Sequence, residues 1–389
     1  MTTVDPDADI LRAVEPDPDT LEQMELEDPY RAWLAREGVK VIDEYAFEDL
    51  AKVELGPWER KGGMGAALNI PYPVLINDAQ LVEIRPGGSS EPEHHLYEEI
   101  VYIVSGRGAT SVWVGDGPKR TFEWKQGSLF AIPLNAWYQL FNGSGTEPAR
   151  YLSVTTAPPT MRLFKDDDFI FNNDFVFSKR FKGEDDFFSG NGTLYKGRVW
   201  DASFIPNVPD MPLYSWVERG AGGINALFEM AGNAMKGHVS EFPVGTYKKG
   251  HRHGPGAHLL ILSGDAGYSL LWHEEDMSDM VKADWQYGSM VVVPSDACYH
   301  QHFNTGTRRA RYMALGYGSG GTAAGLHTPF AGSGLGDVSQ KQGGMQVEYE
   351  DENPLVLDLF EEECLKRGAR PDMRRYFPGR TEFKVKLPD

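Results

Sequence analysis

Cysteine is scarce in this sequence: Cys298 and Cys364 are the two thiols in 389 residues. Two thiols build no disulfide framework and suit a reducing compartment, so a cytoplasmic protein is expected. Basic charge is also short. Asp and Glu number 57 against 38 Lys and Arg, a formal net charge of −19. A field of that sign repels phosphate backbones and anionic lipid headgroups, which argues against nucleic-acid and membrane-surface roles. Apolar runs stay well short of the ~18 residues that a membrane span needs. The opening MTTVDPDADI has no basic or apolar leader region, so no signal peptide is expected. Glycine (43) and proline (25) are plentiful, beside 41% hydrophobic residues. That mixture predicts a large core of short strands joined by tight turns rather than a helical bundle.

The charge is uneven. Residues 1–50 hold 15 acidic and four basic side chains. The proline-punctuated stretch DPDADILRAVEPDPD reads as an extended arm lying on a surface. Asp28-Pro29 then opens a short helix that Gly38 closes. Asn353-Pro354 and Gly368 bracket LVLDLFEEECLKR in the same way, with Leu355, Leu359 and Phe360 expected on one face. Between them, KDDDFIFNNDFVFSKRF alternates Phe169 and Phe171, then Phe175, Phe177 and Phe181, with polar residues. A period of two predicts extended chain, either bridging two units or forming a subunit contact.

The chain repeats itself. VEIRPGGSSEPEHHLYEEIVYIVSGRGATSVW is echoed by VSEFPVGTYKKGHRHGPGAHLLILSGDAGYSLLW, and GSLFAIPLNAWYQLFNGS by GSMVVVPSDACYHQHFNTG. Gly87 and Gly245 are 158 residues apart, and Gly127 and Gly288 are 161 apart. Each block is a set of short apolar runs bounded by Gly, Pro, Asn and Asp, the pattern of antiparallel strands in a sandwich or small barrel.

An H-x-H pair on a strand sends both imidazoles to one side, and a third from a neighbouring strand completes a metal-ligating set. His251 and His253 form such a pair, and His300 and His302 stand as a second H-x-H on a later strand. Fe, Mn, Cu, Ni or Zn suits three imidazoles. His302 shares the strand face of His300, so it is a candidate general base, a supporting hydrogen-bond partner or a rival ligand. Arg252 should face away, and Arg311 reads as a surface ion pair or an anion contact.

The two halves follow, with departures, the spacing of G-x5-H-x-H-x3,4-E-x6-G and G-x5-P-x-G-x2-H-x3-N, the two-part signature of the cupin superfamily, and the chain resembles a bicupin. The resemblance implies an all-β fold of two tandem cupin jelly-roll barrels, with short helices in the N- and C-terminal extensions. It divides the chain into an acidic arm with a short helix (1–65), a first barrel (66–158), a Phe-rich linker (159–221), a second barrel (222–318) and a C-terminal extension with a helix (319–389). It makes His300, four residues before Asn304, the third metal ligand beside His251 and His253, and places the family's glutamate at Ala257. His258, one residue on, faces the other side of the strand unless a bulge re-aims it, and is kept as a possible ligand. In the first barrel the ligand positions fall on Glu93, His95, Glu99 and Tyr138. One imidazole, two carboxylates and a phenol could hold a hard cation weakly, but they read as a degenerate site, a hydrogen-bonded core, with His94 on the surface.

The set His251, His253, His300, His302 and Asn304 is similar to that of gentisate, salicylate and 1-hydroxy-2-naphthoate dioxygenases. That resemblance implies Fe(II), a small hydroxylated aromatic acid, O2, and ring or C–C cleavage with His302 as a catalytic residue. Mn, Ni, Cu or Zn remain open as the metal. A homodimer is implied because cupins pair through sheet edges. The alternatives are a metal-dependent lyase or decarboxylase acting on a small keto or dicarboxylic acid, and a storage or binding cupin without turnover.

Overall fold

The computed structural model describes residues 17–19, 28–71, 75–196, 198–295, 298–317 and 336–387. Most of the acidic arm, and with it the expectation of an extended surface segment, lies outside them. Two jelly rolls make up the molecule. In the first, a large sheet orders the strands Lys40–Asp43, Gly63–Asn69, Asp78–Ile84, Ala149–Thr155, Glu99–Ser105, Leu129–Ile132 and Phe204–Ile205. It faces a small sheet of Trp137–Asn142, Arg107–Trp113 and Arg120–Lys125. The second repeats this order in its large sheet with Ile224–Glu229, Met235–Phe242, Ala310–Tyr317, Ala257–Ser263 and Met290–Val293. Its small sheet joins Thr246–Tyr247, Tyr299–Asn304, Gly267–Trp272 and Val281–Trp285.

The repeat reaches beyond the two signature blocks. Lys40–Asp43 runs parallel to the first barrel's Gly63–Asn69, and the chain then crosses so that Ala46–Phe47 pairs with Met290–Val293 of the second barrel. Val199–Asp201 likewise lies parallel to Ile224–Glu229, before Phe204–Ile205 pairs with Leu129–Ile132 of the first barrel. The Tyr45 carbonyl accepts from Val292 N–H, and the Ser203 carbonyl accepts from Ala131 N–H. Each barrel thus covers an open edge of the other, which removes unpaired backbone from solvent. One apolar cluster spans both barrels, joining Leu81, Ile100 and Leu152 to Leu260, Leu262, Val292 and Leu315.

The helices sit at the flanks. Pro29–Glu37 starts after Asp28 and ends at Gly38 with φ 63°, as its start and stop residues predict. Pro354–Lys366 is capped by the Asn353 side chain. Its buried face is Val356, Leu357, Phe360 and Cys364, whereas Leu355 is exposed, because the face in contact with the barrel lies one residue on from the predicted one. The Phe-rich segment is not extended throughout. Ala157–Phe164 and Asp167–Phe171 are helical, the second capped by Asp166, so Phe169 is exposed while Phe171 stacks on Trp33 at 5.8 Å. Phe181 is buried against Phe187 and Phe188, and Phe188 against Phe122 of the first barrel. No helix among the described residues is long and apolar enough to cross a membrane.

Candidate metal centre

The second barrel brings His251, His253 and His300 together. One ligand atom from each lies within 4.8 Å of the others. The strands fix this convergence. His251 N–H donates to the His300 carbonyl at 3.1 Å, and His300 N–H donates back to the His251 carbonyl at 2.8 Å. Two residues that exchange both bonds stand directly opposite one another, so their side chains leave the same face. His253 follows on the same side, its ring centroid 4.7 Å from that of His300.

The imidazoles are neutral. Burial holds His251 and His253 well below the ordinary histidine value, and the Arg219 and His300 charges push the same way. Burial takes His300 down to about 4, partly opposed by its bond to a backbone carbonyl. That bond, Nδ1 to the Cys298 carbonyl at 3.1 Å, puts the proton on Nδ1 and leaves Nε2 with a free lone pair. The His251 Nδ1 is buried without a hydrogen-bond partner. Three neutral, convergent imidazoles, one with an orphaned buried nitrogen, fit a divalent transition metal.

His302 lies one pleat further along. Its Nδ1 meets Ser269 Oγ at 2.8 Å, and its ring centroid is 5.6 Å from that of His300. His258 is not part of the cluster. It alternates with Ala257, Leu259 and Ile261, pointing with Leu260 and Leu262 toward the first barrel, where it lines a small cavity with Asn77 and Val293. No bulge turns it inward, which overturns its reading as a possible ligand. Arg252 packs over the Tyr299 ring, and Arg311 pairs with Glu241 at 2.9 Å.

Several interior groups escaped the sequence reading. Arg219, 5% exposed, donates to the Gly336 carbonyl at 2.9 Å and pairs with Asp337 at 2.7 Å. Asp337 also accepts from Trp216 Nε1 at 3.1 Å. Lys248, 1% exposed, reaches the Tyr312 hydroxyl at 3.4 Å and lies over the Trp216 and Tyr312 rings. Burial and the Arg219 charge hold its amine well below the usual lysine range. His238 Nε2 is buried with no hydrogen-bond partner. A signal for Arg219 was present: Trp216-x-x-Arg219-Gly220 repeats Trp58-x-x-Lys61-Gly62 at the same offset as the glycines.

The first barrel places Glu93 and Tyr138 on the equivalent backbone bridge. Tyr138 OH donates to Glu93 and lies 2.7 Å from Glu99, and His95 Nε2 is 3.1 Å from Glu99. Ser153 Oγ donates to the other Glu99 oxygen. Lys61, absent from the sequence reading, puts its ammonium 2.6 Å from Glu93. His94, expected on the surface, is 5% exposed: its ring packs tilted against Trp137, centroids 4.1 Å apart, and bonds to Asn135 at 3.1 Å, because Trp137 and the linker cover the barrel wall there. With an ammonium already among its carboxylates, this cluster does not fit a metal ion.

Residues 80–155 match the Cupin domain family. A curated relative, a probable oxalate decarboxylase of Arthroderma benhamiae, is 35% identical over 90 residues, which are 23% of this chain and 22% of the relative. The match thus spans about a fifth of that relative's length. Oxalate decarboxylase from Bacillus subtilis, solved at pH 4.6, superposes with a TM-score of 0.47 at 13% identity, covering 71% of this chain and 77% of that one. A further oxalate decarboxylase structure, concerned with substrate binding and a reaction specificity switch, gives 0.46 at 14% identity, covering 71% and 78%. Residues 80–155 therefore carry a cupin domain, and the fold is a pair of tandem jelly-roll barrels.

Proposed function

We propose that this chain is a metal-dependent cupin enzyme that cleaves a C–C bond of a small carboxylic acid in its second barrel, as a lyase or decarboxylase. One observation carries the reading. The interior around His251, His253 and His300 holds neutral imidazoles, the Arg219 guanidinium and the Lys248 amine, and the carboxylate that pairs with Arg219, Asp337, comes from the C-terminal segment. An incoming carboxylate can take over the Arg219 guanidinium from Asp337 and draw the depressed Lys248 amine into its charged form. The similarity of part of the chain to a probable oxalate decarboxylase favours a carboxylic acid and CO2 release over the ring cleavage expected from the sequence.

His251, His253 and His300 would hold the ion, with Mn(II) or Fe(II) suited to the donor set; bound there, it supplies Lewis-acid polarisation of a carboxylate. Arg219 orients that carboxylate through charge-assisted hydrogen bonds in competition with Asp337. Trp216, Phe242 and Tyr312 wall off water around Lys248. Departure of CO2 leaves an electron pair on the substrate carbon, which a proton must meet. His302, held at Nδ1 by Ser269, is placed to carry that proton on Nε2.

A second reading, a ring-cleaving dioxygenase for a hydroxylated aromatic acid, is favoured by Ala257, which stands where the family signature has glutamate and leaves positions open for substrate and O2. The deciding experiment supplies the metal-loaded protein with oxalate, 2-keto acids and hydroxybenzoates while CO2 release and O2 uptake are followed together. CO2 release without stoichiometric O2 uptake supports the lyase. Stoichiometric O2 uptake with a hydroxybenzoate supports the dioxygenase, and neither signal supports a binding cupin.

A further inference from the structure

The two barrels carry a buried cation at the same place. Glu59–Lys61 and Val217–Arg219 are equivalent 3-10 turns, each entering its barrel's first long strand. Each ends on a glycine with positive φ, Gly62 at 67° and Gly220 at 82°. A Cβ at Gly62 would come within 2.8 Å of the Glu91 backbone nitrogen, so the tight turn that drives Lys61 inward needs glycine there. Lys61 is 1% exposed and lies 5.7 Å from the Trp58 ring centroid; Arg219 is 5% exposed and lies 4.8 Å from that of Trp216.

Their partners differ. In the second barrel the ligand positions are neutral, and Arg219 turns to Asp337 from the C-terminal segment. In the first barrel those positions hold carboxylates. Lys61 bonds Glu93, the counterpart of His251, and feels the charge of Glu99, the counterpart of Ala257. Burial works against the ammonium, yet Glu93 and Glu99 together keep it charged. Glu93 Oε2 is buried without a hydrogen-bond partner, so the Lys61 ammonium is the cation that the carboxylate leans on.

We propose that the Lys61 ammonium is the first barrel's resident cation, filling the charge role of a divalent ion among Glu93, His95, Glu99 and Tyr138, and that it keeps this barrel metal-free. Two buried carboxylates without a cation are strongly unfavourable. Lys61→Met keeps the aliphatic stem and removes the charge, leaving an oxygen-rich set of the kind that takes Mn2+. The inference is independent of what the second barrel catalyses.

The test uses a parent in which His251→Ala and His300→Ala empty the second site. Mn2+ binding is measured by titration calorimetry and elemental analysis, and stability by thermal melting with and without MnCl2. The parent is expected to bind no Mn2+. With Lys61→Met added, about one equivalent should bind and the melting temperature should rise with Mn2+; adding Glu99→Gln as well should abolish both effects. A control carrying Lys61→Met with Glu93→Gln, which removes one charge of each sign, should fold without Mn2+. A parent that binds Mn2+ with Lys61 intact overturns the proposal. So does a folded Lys61→Met variant that binds none, or one that Mn2+ fails to fold while the control does fold.

Discussion

His251 and His300 exchange both backbone hydrogen bonds, and Glu93 and Tyr138 make the same reciprocal pair in the first barrel. The pairing decides a register that sequence counting left open. The span from Pro294 to Asn304 is one residue longer than that from Pro133 to Asn142. The bridge absorbs the difference by setting His300, not His302, opposite the H-x-H strand.

From this register, His251→Ala or His300→Ala should lower bound metal at least roughly tenfold, because two remaining imidazoles make an incomplete shell. His95→Ala should leave metal near its starting level, since His95 belongs to the other barrel's network. Elemental analysis of the purified variants is the check, and metal loss in His95→Ala would contradict the assignment.

His302→Ala should keep the metal and lose turnover, by roughly a hundredfold for removal of a proton-transfer group. Its hydrogen bond to Ser269 holds the ring beside the cluster rather than in it. Ser269→Ala should have a smaller effect in the same direction. Loss of metal from His302→Ala, with retention in His300→Ala, would reverse the two roles.

Arg219→Met should weaken binding of oxalate or a hydroxybenzoate roughly 10–100-fold, the equivalent of about 1.5–3 kcal/mol for hydrogen bonds to a charged group. Metal content should hold. Arg219→Lys should recover part of the loss as a point charge without the bidentate fork. Equal affinity in all three proteins, by calorimetric titration, would remove Arg219 from the anion site.

Much of this architecture is legible in the sequence, and the gaps have physical causes. Glycine-bounded apolar runs and matched offsets expose the two jelly rolls, because turn chemistry and strand alternation are local. Asp28-Pro29 and Asn353-Pro354 mark helix starts for the same reason. The edge exchange by Ala46–Phe47 and Phe204–Ile205 is not local: two-residue strands carry no periodicity, and their partners lie far along the chain. Asp166, a side-chain cap, overrides the period-two phenylalanines and makes Asp167–Phe171 helical. At the site, the H-x-H pair is visible because both ligands share one strand. Lys61 and Arg219 enter from turns outside the signature, marked in the sequence only by the repeated Trp58-x-x-Lys61-Gly62 and Trp216-x-x-Arg219-Gly220, and Asp337 enters from the tail, so it is tertiary packing that brings them to the carboxylates and histidines.

Glu352 should give the second barrel a pH-dependent stability. Burial pushes its carboxyl up to about 8, against the opposing hydrogen bonds of Tyr247 and Gln301 and the charge of Arg380. A carboxyl with a raised folded-state pKa favours the folded state most when protonated in both states. That contribution is therefore fully present below the ordinary value of 4.5 and drains away as pH rises through about 8. Glu352→Gln keeps the shape and an acceptor oxygen but cannot ionise. Its melting temperature should match the wild type near pH 4.5 and exceed it at pH 8, by roughly 1–2 °C for each kcal/mol recovered. Thermal melts across that range, with the metal content held constant, give the comparison. Parallel curves for the two proteins would mean that Glu352 titrates in the folded protein much as it does in the unfolded chain.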